Sequence, residues 1–169
     1  DHYRAAVRER GAGSLGWIGT WEGNEWWSTA ASAGSLAFRR DGDFAIVVSD
    51  PAAREEDLER TIREFAGFAT RHGMVPVLYS VHEPVAAASD RLGWTRVLIA
   101  EETVLDLPFL AFTGKKFQDI RTALNQGTKQ GISTRWTTWA EMPIGLREQV
   151  NAISEEWVAD KALPEMGFT

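Results

Sequence analysis

The sequence predicts an α/β chain (α+β in its element order), built on a sheet with a helical crossover. Three observations carry that expectation. Asp41-Gly42 is a hairpin signal between two strand-forming runs. The second run, Phe44–Val48, is apolar throughout, as a strand covered on both faces must be. Leu58, Ile62, Phe65, Ala66 and Ala69 then recur at the spacing of one helix face, ahead of another strand-forming run at Val75–Val81.

In chain order, residues 3–10 read as a helix closed by Gly11, a residue free to take the left-handed backbone of a C-terminal cap. Ser14–Trp27 is strand-like, with a turn at Gly23-Asn24, and Ala30–Gly34 is small and polar enough for a loop. Ser35–Arg40 and Asp43–Ser49 form the hairpin. Asp50-Pro51 ends the strand, with Asp50 expected as the N-cap of a helix over 54–72 that stops at Gly73. A strand at Val75–Val81, a short helix at Pro84–Leu92 and a strand or bent hairpin at Thr95–Leu107 complete a first unit, 1–107.

Pro108 opens a second unit, 108–169. It contains a helix over about 116–126 with Phe117, Ile120 and Leu124 as its buried stripe, then an alternating strand at Ile132–Trp139. A further helix follows Pro143, with Leu146, Val150, Ile153 and Trp157 on one face. The chain begins at Asp1 and stops at Glu165-Met166-Gly167-Phe168-Thr169 without a closing element, so a fragment of a longer protein is expected. The order of hairpin, central strand and crossover helix resembles the GNAT-like acyltransferase fold.

Composition narrows the functional classes. Hydrophobic residues make up 44% and charged residues 25%, an ordinary globular balance. The eight tryptophans are expected to be core and edge packing rather than ligand platforms. With no cysteine, thiolate catalysis and disulfide scaffolds are excluded. No apolar stretch approaches the roughly 20 residues of a membrane span, and the first 30 residues hold no signal-peptide core. The net charge of −6 argues against a general nucleic-acid binder.

One section departs from that charge. From Gly114 to Arg135 there are five cations, Lys115, Lys116, Arg121, Lys129 and Arg135, against the single acid Asp119. Arg121, Asn125 and Lys129 fall on one helical stripe, with Lys115 and Lys116 at the helix N-terminus, where cations oppose the dipole. A polyanion such as an RNA backbone or lipid phosphate would explain their placement, and a solvated face would not need one. By contrast, the turn Ser49-Asp50-Pro51-Ala52-Ala53-Arg54 has no glycine, carries an acid and loses one N–H to Pro51. It is a poor cradle for the pyrophosphate of an acyl-CoA. The three histidines, His2, His72 and His82, show no metal spacing, and no Ser-His-Asp order is visible.

Four segments, in order, resemble the soluble aminoacyl-transfer domain of phosphatidylglycerol lysyltransferases and alanyl-phosphatidylglycerol synthases. They are Ser49-Asp50-Pro51, where the family usually shows Gly-Asp-Pro; Glu64-Phe65 with Gly73, Pro76 and Tyr79; Glu101-Glu102 through Leu105-Asp106-Leu107, Phe112, Gly114-Lys115-Lys116, Ile120-Arg121, Asn125 and Gly131; and Ile153-Ser154, Trp157, Lys161 and Pro164-Glu165-Met166-Gly167-Phe168. Together they cover about residues 36–169.

The resemblance implies the first of a tandem pair of GNAT-like units and the start of the second. It implies transfer of an amino acid, lysine foremost, from aminoacyl-tRNA to a glycerol hydroxyl of phosphatidylglycerol at the cytoplasmic face of a bacterial membrane. No metal or cofactor is implied, since the ester is already activated. It assigns Lys115, Lys116, Arg121, Asn125 and Lys129 to phosphate contacts, places Glu165 and Phe168 near the amino-acid pocket, and leaves the catalytic residues beyond Thr169. An acyl-CoA-dependent acyltransferase and a non-catalytic tRNA- or membrane-binding module are the rival expectations.

Overall fold

The structure, a computed structural model, describes residues 2–31 and 33–161. The chain divides into two compact units, with the boundary between Glu101 and Glu102.

The first unit is a five-stranded sheet with helices on both faces. Helix α1 (His2–Arg10) ends at Gly11, whose φ of 76° and N–H bond to the Val7 carbonyl make the expected left-handed cap. The following segment departs from the expected strand. Gly16–Thr20 is a 3-10 turn, because Gly16 and Gly19, three residues apart, stack on one side of it and let its backbone sit against Ala12, Tyr3 and Ala37. Strands β1 (Glu25–Ser28), β2 (Gly34–Asp41) and β3 (Phe44–Val48) are antiparallel, with Asp41 paired to Phe44 across the tight turn at Gly42. A short β4 (Ala52–Ala53) returns to pair with β2 at Gly34 and Ser35.

Helix α2 (Glu55–Arg71) then crosses over to β5 (Val75–Tyr79), which lies parallel to β3 from Phe44–Val75 to Val48–Tyr79. Sheet order is β1-β2-β3-β5, so the apolar β3 is central, as its composition requires. Helix α3 (Glu83–Arg91) packs beside α2, with Leu58 and Ile62 of α2 meeting Val85 and Ala88 of α3.

The sheet's two faces hold different cores. On one, Leu36, Phe38, Ala45, Val47, Phe65 and Ala69 are buried together, with Trp27 and Phe68 packed against them. Phe65 is fully buried, and its ring centroid lies 5.4 Å from Phe38 and 5.6 Å from Trp27, at tilted and edge-on geometries that suit the ring quadrupoles. On the other face, Tyr3, Ala6 and Val7 of α1 cover Ala37 and Ala52. Burial pushes the Tyr3 phenol up to about 12, and its O–H donates to the Gly16 carbonyl at 3.0 Å.

Beyond α3 the expected strand or bent hairpin at Thr95–Leu107 is not formed; the segment is exposed, has no regular secondary structure and ends in a 3-10 turn at Leu107–Phe109. In the second unit the alternating segment Ile132–Trp139 is likewise unpaired. A strand is held by its ladder partners, and among the described residues neither segment has one. Helices α4 (Gln118–Lys129) and α5 (Ile144–Lys161) do form, and α4 runs through Gly127 to Lys129. Their apolar stripes are not buried, contrary to expectation: Ile120 is 42% and Leu124 59% exposed, and no described residue of this unit is buried. The tryptophans depart from expectation too. Six of the eight are exposed, and only Trp27 and Trp94 are partly covered.

Candidate functional site

Two constellations are candidates, one in each unit. The first forms at the carboxyl ends of the parallel strands β3 and β5, the place where open α/β sheets gather ligands and polar side chains. Ser49 and Ser80, the residues after each strand, take φ values of 75° and 57°, and they are the only non-glycine residues with left-handed backbone among those described. Such backbone costs roughly 1–2 kcal/mol for an L-residue. At Ser49 the cost is met locally: the side chain is fully buried and its hydroxyl donates to the Ala12 carbonyl at 2.6 Å. The positive φ also gives a physical reason for glycine being usual at this place in the family that the sequence resembles.

Asp50 follows, and it does not cap α2 as expected. The N-cap of α2 is Arg54, without a side-chain capping bond. One carboxylate oxygen of Asp50 instead accepts the backbone N–H of His82 at 2.9 Å, and the other pairs with His82 Nδ1 at 2.8 Å. His82 is itself the N-cap residue of α3. The Asp50 carboxylate thus ties the loop after β3 to the loop after β5. Gly13 closes the cluster from the α1 side: a Cβ there would lie 2.7 Å from Ser49 Oγ and 3.0 Å from both Asp50 Oδ2 and His82 Cε1. Sequence reasoning missed this pair because 32 residues separate its members; a His directly after one β run and an Asp directly after another was the available signal.

The same geometry bears on acyl-CoA. The Ser49 N–H is bonded to the Tyr79 carbonyl, Ala53 N–H to Pro51 O, and Ala52 and Ala53 pair with β2. The turn therefore offers no row of open N–H groups to a pyrophosphate.

The second constellation is the basic section. Gly114, at φ 73°, leads into a 3-10 turn at Lys115–Phe117 that runs into α4. Lys115, Lys116, Asn125 and Lys129 are exposed, and Arg121, Asn125 and Lys129 lie at successive turns of α4. Lys116 Nζ sits 5.6 Å from the Phe117 ring centroid. Arg121 is partly covered, and one of its guanidinium nitrogens donates to the Phe112 and Gly114 carbonyls at 2.9 and 2.8 Å, which fixes the loop that carries the two lysines. Glu165 and Phe168 lie outside the described residues.

Comparison with known proteins agrees with this architecture. Residues 4–169 match the family described as phosphatidylglycerol lysyltransferase, C-terminal. An uncharacterised protein of Corynebacterium glutamicum is 37% identical over 98% of this chain, which covers 21% of that protein. The phosphatidylglycerol lysyltransferase of Bacillus subtilis is 24% identical over the whole chain and 19% of its own length. Among solved structures, L-PGS from Bacillus licheniformis superposes with a TM-score of 0.70 at 21% identity, over 92% of this chain and 48% of that one. A C-terminal domain from Agrobacterium fabrum, described as that of a putative lysylphosphatidylglycerol synthetase, gives 0.77 at 16% identity, over 97% of this chain and 51% of that one. The chain thus spans about a fifth of those two relatives' length and about half of the two solved structures.

Proposed function

The chain belongs to the phosphatidylglycerol lysyltransferase C-terminal family, and from that premise we propose that it serves the transfer of lysine from aminoacyl-tRNA to phosphatidylglycerol. In that reaction a glycerol hydroxyl oxygen attacks the aminoacyl ester carbonyl, its proton passes to an acceptor, and the tRNA ribose oxygen leaves. The demands are positioning and donors facing the developing oxyanion. The family match carries this reading, supported by a basic segment in an otherwise acidic chain. Lys115, Lys116, Asn125 and Lys129 contact phosphates, and Arg121 contributes by holding the loop beneath the lysines. Glu165 and Phe168 stand near the amino-acid pocket, and most of the reacting residues belong to the remainder of the second GNAT-like unit that residues 108–169 begin. The work is done at the cytoplasmic face of the membrane, and the 169 residues alone are inactive. Among the described residues no helix is long and apolar enough to cross a bilayer, so in this reading these residues meet lipid from the surface.

The test uses the complete gene product with labelled lysyl-tRNA and phosphatidylglycerol vesicles, followed by lipid extraction. Label in the lipid that RNase abolishes is the expected result; none with any charged tRNA overturns the reading and leaves the non-catalytic module. Lys115→Glu with Lys116→Glu should weaken binding to tRNA or anionic vesicles. It should also flatten the salt dependence by about one unit of slope for each phosphate no longer neutralised. Unchanged binding at low salt would remove the phosphate role. Acyl-CoA as donor is the second reading, and the occupied N–H groups of the 49–54 turn weigh against it.

A further inference from the structure

Strand β1 lies at the edge of the sheet, and its register with β2 divides its two tryptophans between the faces. Trp27, opposite Leu36, turns toward α2 and the aromatic core. Trp26, opposite Ala37, turns toward α1 and the 3-10 turn, where its indole N–H donates to the Gly19 carbonyl at 2.9 Å. That turn presents two more tryptophans. Gly16 and Gly19 occupy its buried side, so Trp17 and Trp21 are left facing outward. Trp17, Trp21 and Trp26 are 48%, 55% and 57% exposed. They account for most of the large exposed apolar side chains of the regular part of the first unit, and all three are on, next to or bonded to one five-residue turn. Beside them, the Arg8 guanidinium lies 5.8 Å from the Trp17 ring centroid, and Arg4 is exposed one helical turn earlier on α1.

We propose that this α1–turn face, with Trp17, Trp21 and Trp26 at its centre and Arg4 and Arg8 at its border, is the surface by which the protein rests on an anionic lipid bilayer. Tryptophan is suited to the boundary between headgroups and acyl chains, since its ring is apolar and its N–H is a polar handle. The arginines complement lipid phosphate. Glu22, next to Trp21 in the chain, offsets part of that charge, so ring insertion rather than counterion release dominates the contact. That separates the face from an RNA surface, whose binding falls by orders of magnitude with salt. The inference rests on the lipid-directed function proposed above and deepens it by naming where the bilayer is met.

The experiment is flotation of the 169-residue chain with phosphatidylglycerol vesicles and with phosphatidylcholine vesicles, alongside electrophoretic binding of tRNA. Trp17→Ala with Trp21→Ala is the main variant, since neither indole carries an internal hydrogen bond among those described. The triple variant adding Trp26→Ala is second. Trp136→Ala with Trp139→Ala, exposed residues of the other unit, is the control for general stickiness. We expect the double variant to lose about tenfold or more in vesicle partitioning with an unchanged far-UV spectrum, and the control to lose little. Binding of the unaltered chain should prefer phosphatidylglycerol several-fold and change less than about threefold between 50 and 200 mM salt. Equal loss in the control, or full flotation of both Trp17/Trp21 variants, overturns the proposal. So does loss of tRNA binding with flotation intact, which would make the face a nucleic-acid surface. Lysine transfer by the complete gene product to detergent-dispersed phosphatidylglycerol is scored separately. Failure there sinks the proposed reaction and leaves a Trp-dependent lipid contact standing, whereas transfer with Trp-independent flotation does the reverse.

Discussion

Helix α2 of the first unit and helix α4 of the second carry apolar stripes of the same period, yet they end in different surroundings. Leu58, Ile62, Phe65 and Ala69 on α2 are buried against a sheet and a neighbouring helix. Ile120 and Leu124 on α4 stay in contact with solvent, as do Val150, Ile153 and Trp157 on α5. The difference is supplied by the chain far away in sequence. α2 finds β2, β3 and α3 within the first unit, while the described part of the second unit contains no sheet at all. A helical stripe states that a helix has a face to cover; it does not state that the cover is present.

The largest expected effect tests that contrast directly. Phe65→Ala should cost about 3–5 kcal/mol of stability in denaturant unfolding, the range for emptying a buried aromatic site. Ile153→Ala, exposed on α5, should cost less than about 0.5 kcal/mol. Equal losses would mean that α5 is covered in solution and would break the comparison.

Two glycines sharpen it. Gly34 opens β2 directly beneath α2, and a methyl group there would collide with the fully buried Thr61 side chain. Gly34→Ala should therefore cost about 1–3 kcal/mol, seen as a lowered Tm. Gly127 lies inside α4 with nothing nearer than Ile132 at 4.0 Å, so Gly127→Ala should raise helicity, by up to about 1 kcal/mol for that helix. The same substitution with opposite signs in the two units is the expected outcome, read by thermal melting and far-UV circular dichroism.

Asp50→Ala removes both bonds to His82 at the ends of β3 and β5 and should cost about 1–3 kcal/mol, leaving the His82 N–H without its carboxylate partner. Asp119→Ala, on the exposed first turn of α4, should cost a few tenths at most. A last effect is confined to alkaline pH. Tyr3 holds its proton up to about 12 in the folded state against 10.0 when unfolded, so between those values the folded chain binds more protons. Stability should fall as pH rises from 10 toward 12, and Tyr3→Phe should flatten that fall.

What the sequence made legible was local. The cap at Gly11, the turn at Gly42, the α2 stripe and the central place of β3 each rest on neighbours a few residues apart, and each is present. The misses are where distant residues decide. Asp50 looked like a cap because Asp before a helix usually is one, but a His 32 residues later offered its carboxylate two bonds. Ser14–Trp27 reads as strand-like, but Gly16 and Gly19 have a helix and a sheet to lie against. Ile132–Trp139 alternates correctly and still has no ladder. At the basic segment the sequence gathered the cations onto one helix, but could not see that Arg121 is bonded to the loop beside it.

Pro76 is the second residue of β5, and a residue without an N–H inside a strand would ordinarily weaken a sheet. Here Val75 directs its N–H inward to the Asp43 carbonyl, and successive residues of a strand alternate, so the missing donor of Pro76 falls on the outer side. The parallel ladder with β3 loses nothing, while an approaching strand would find a gap in the row it must pair with. This border of the sheet thus resists edge-to-edge association and the aggregation that follows from it.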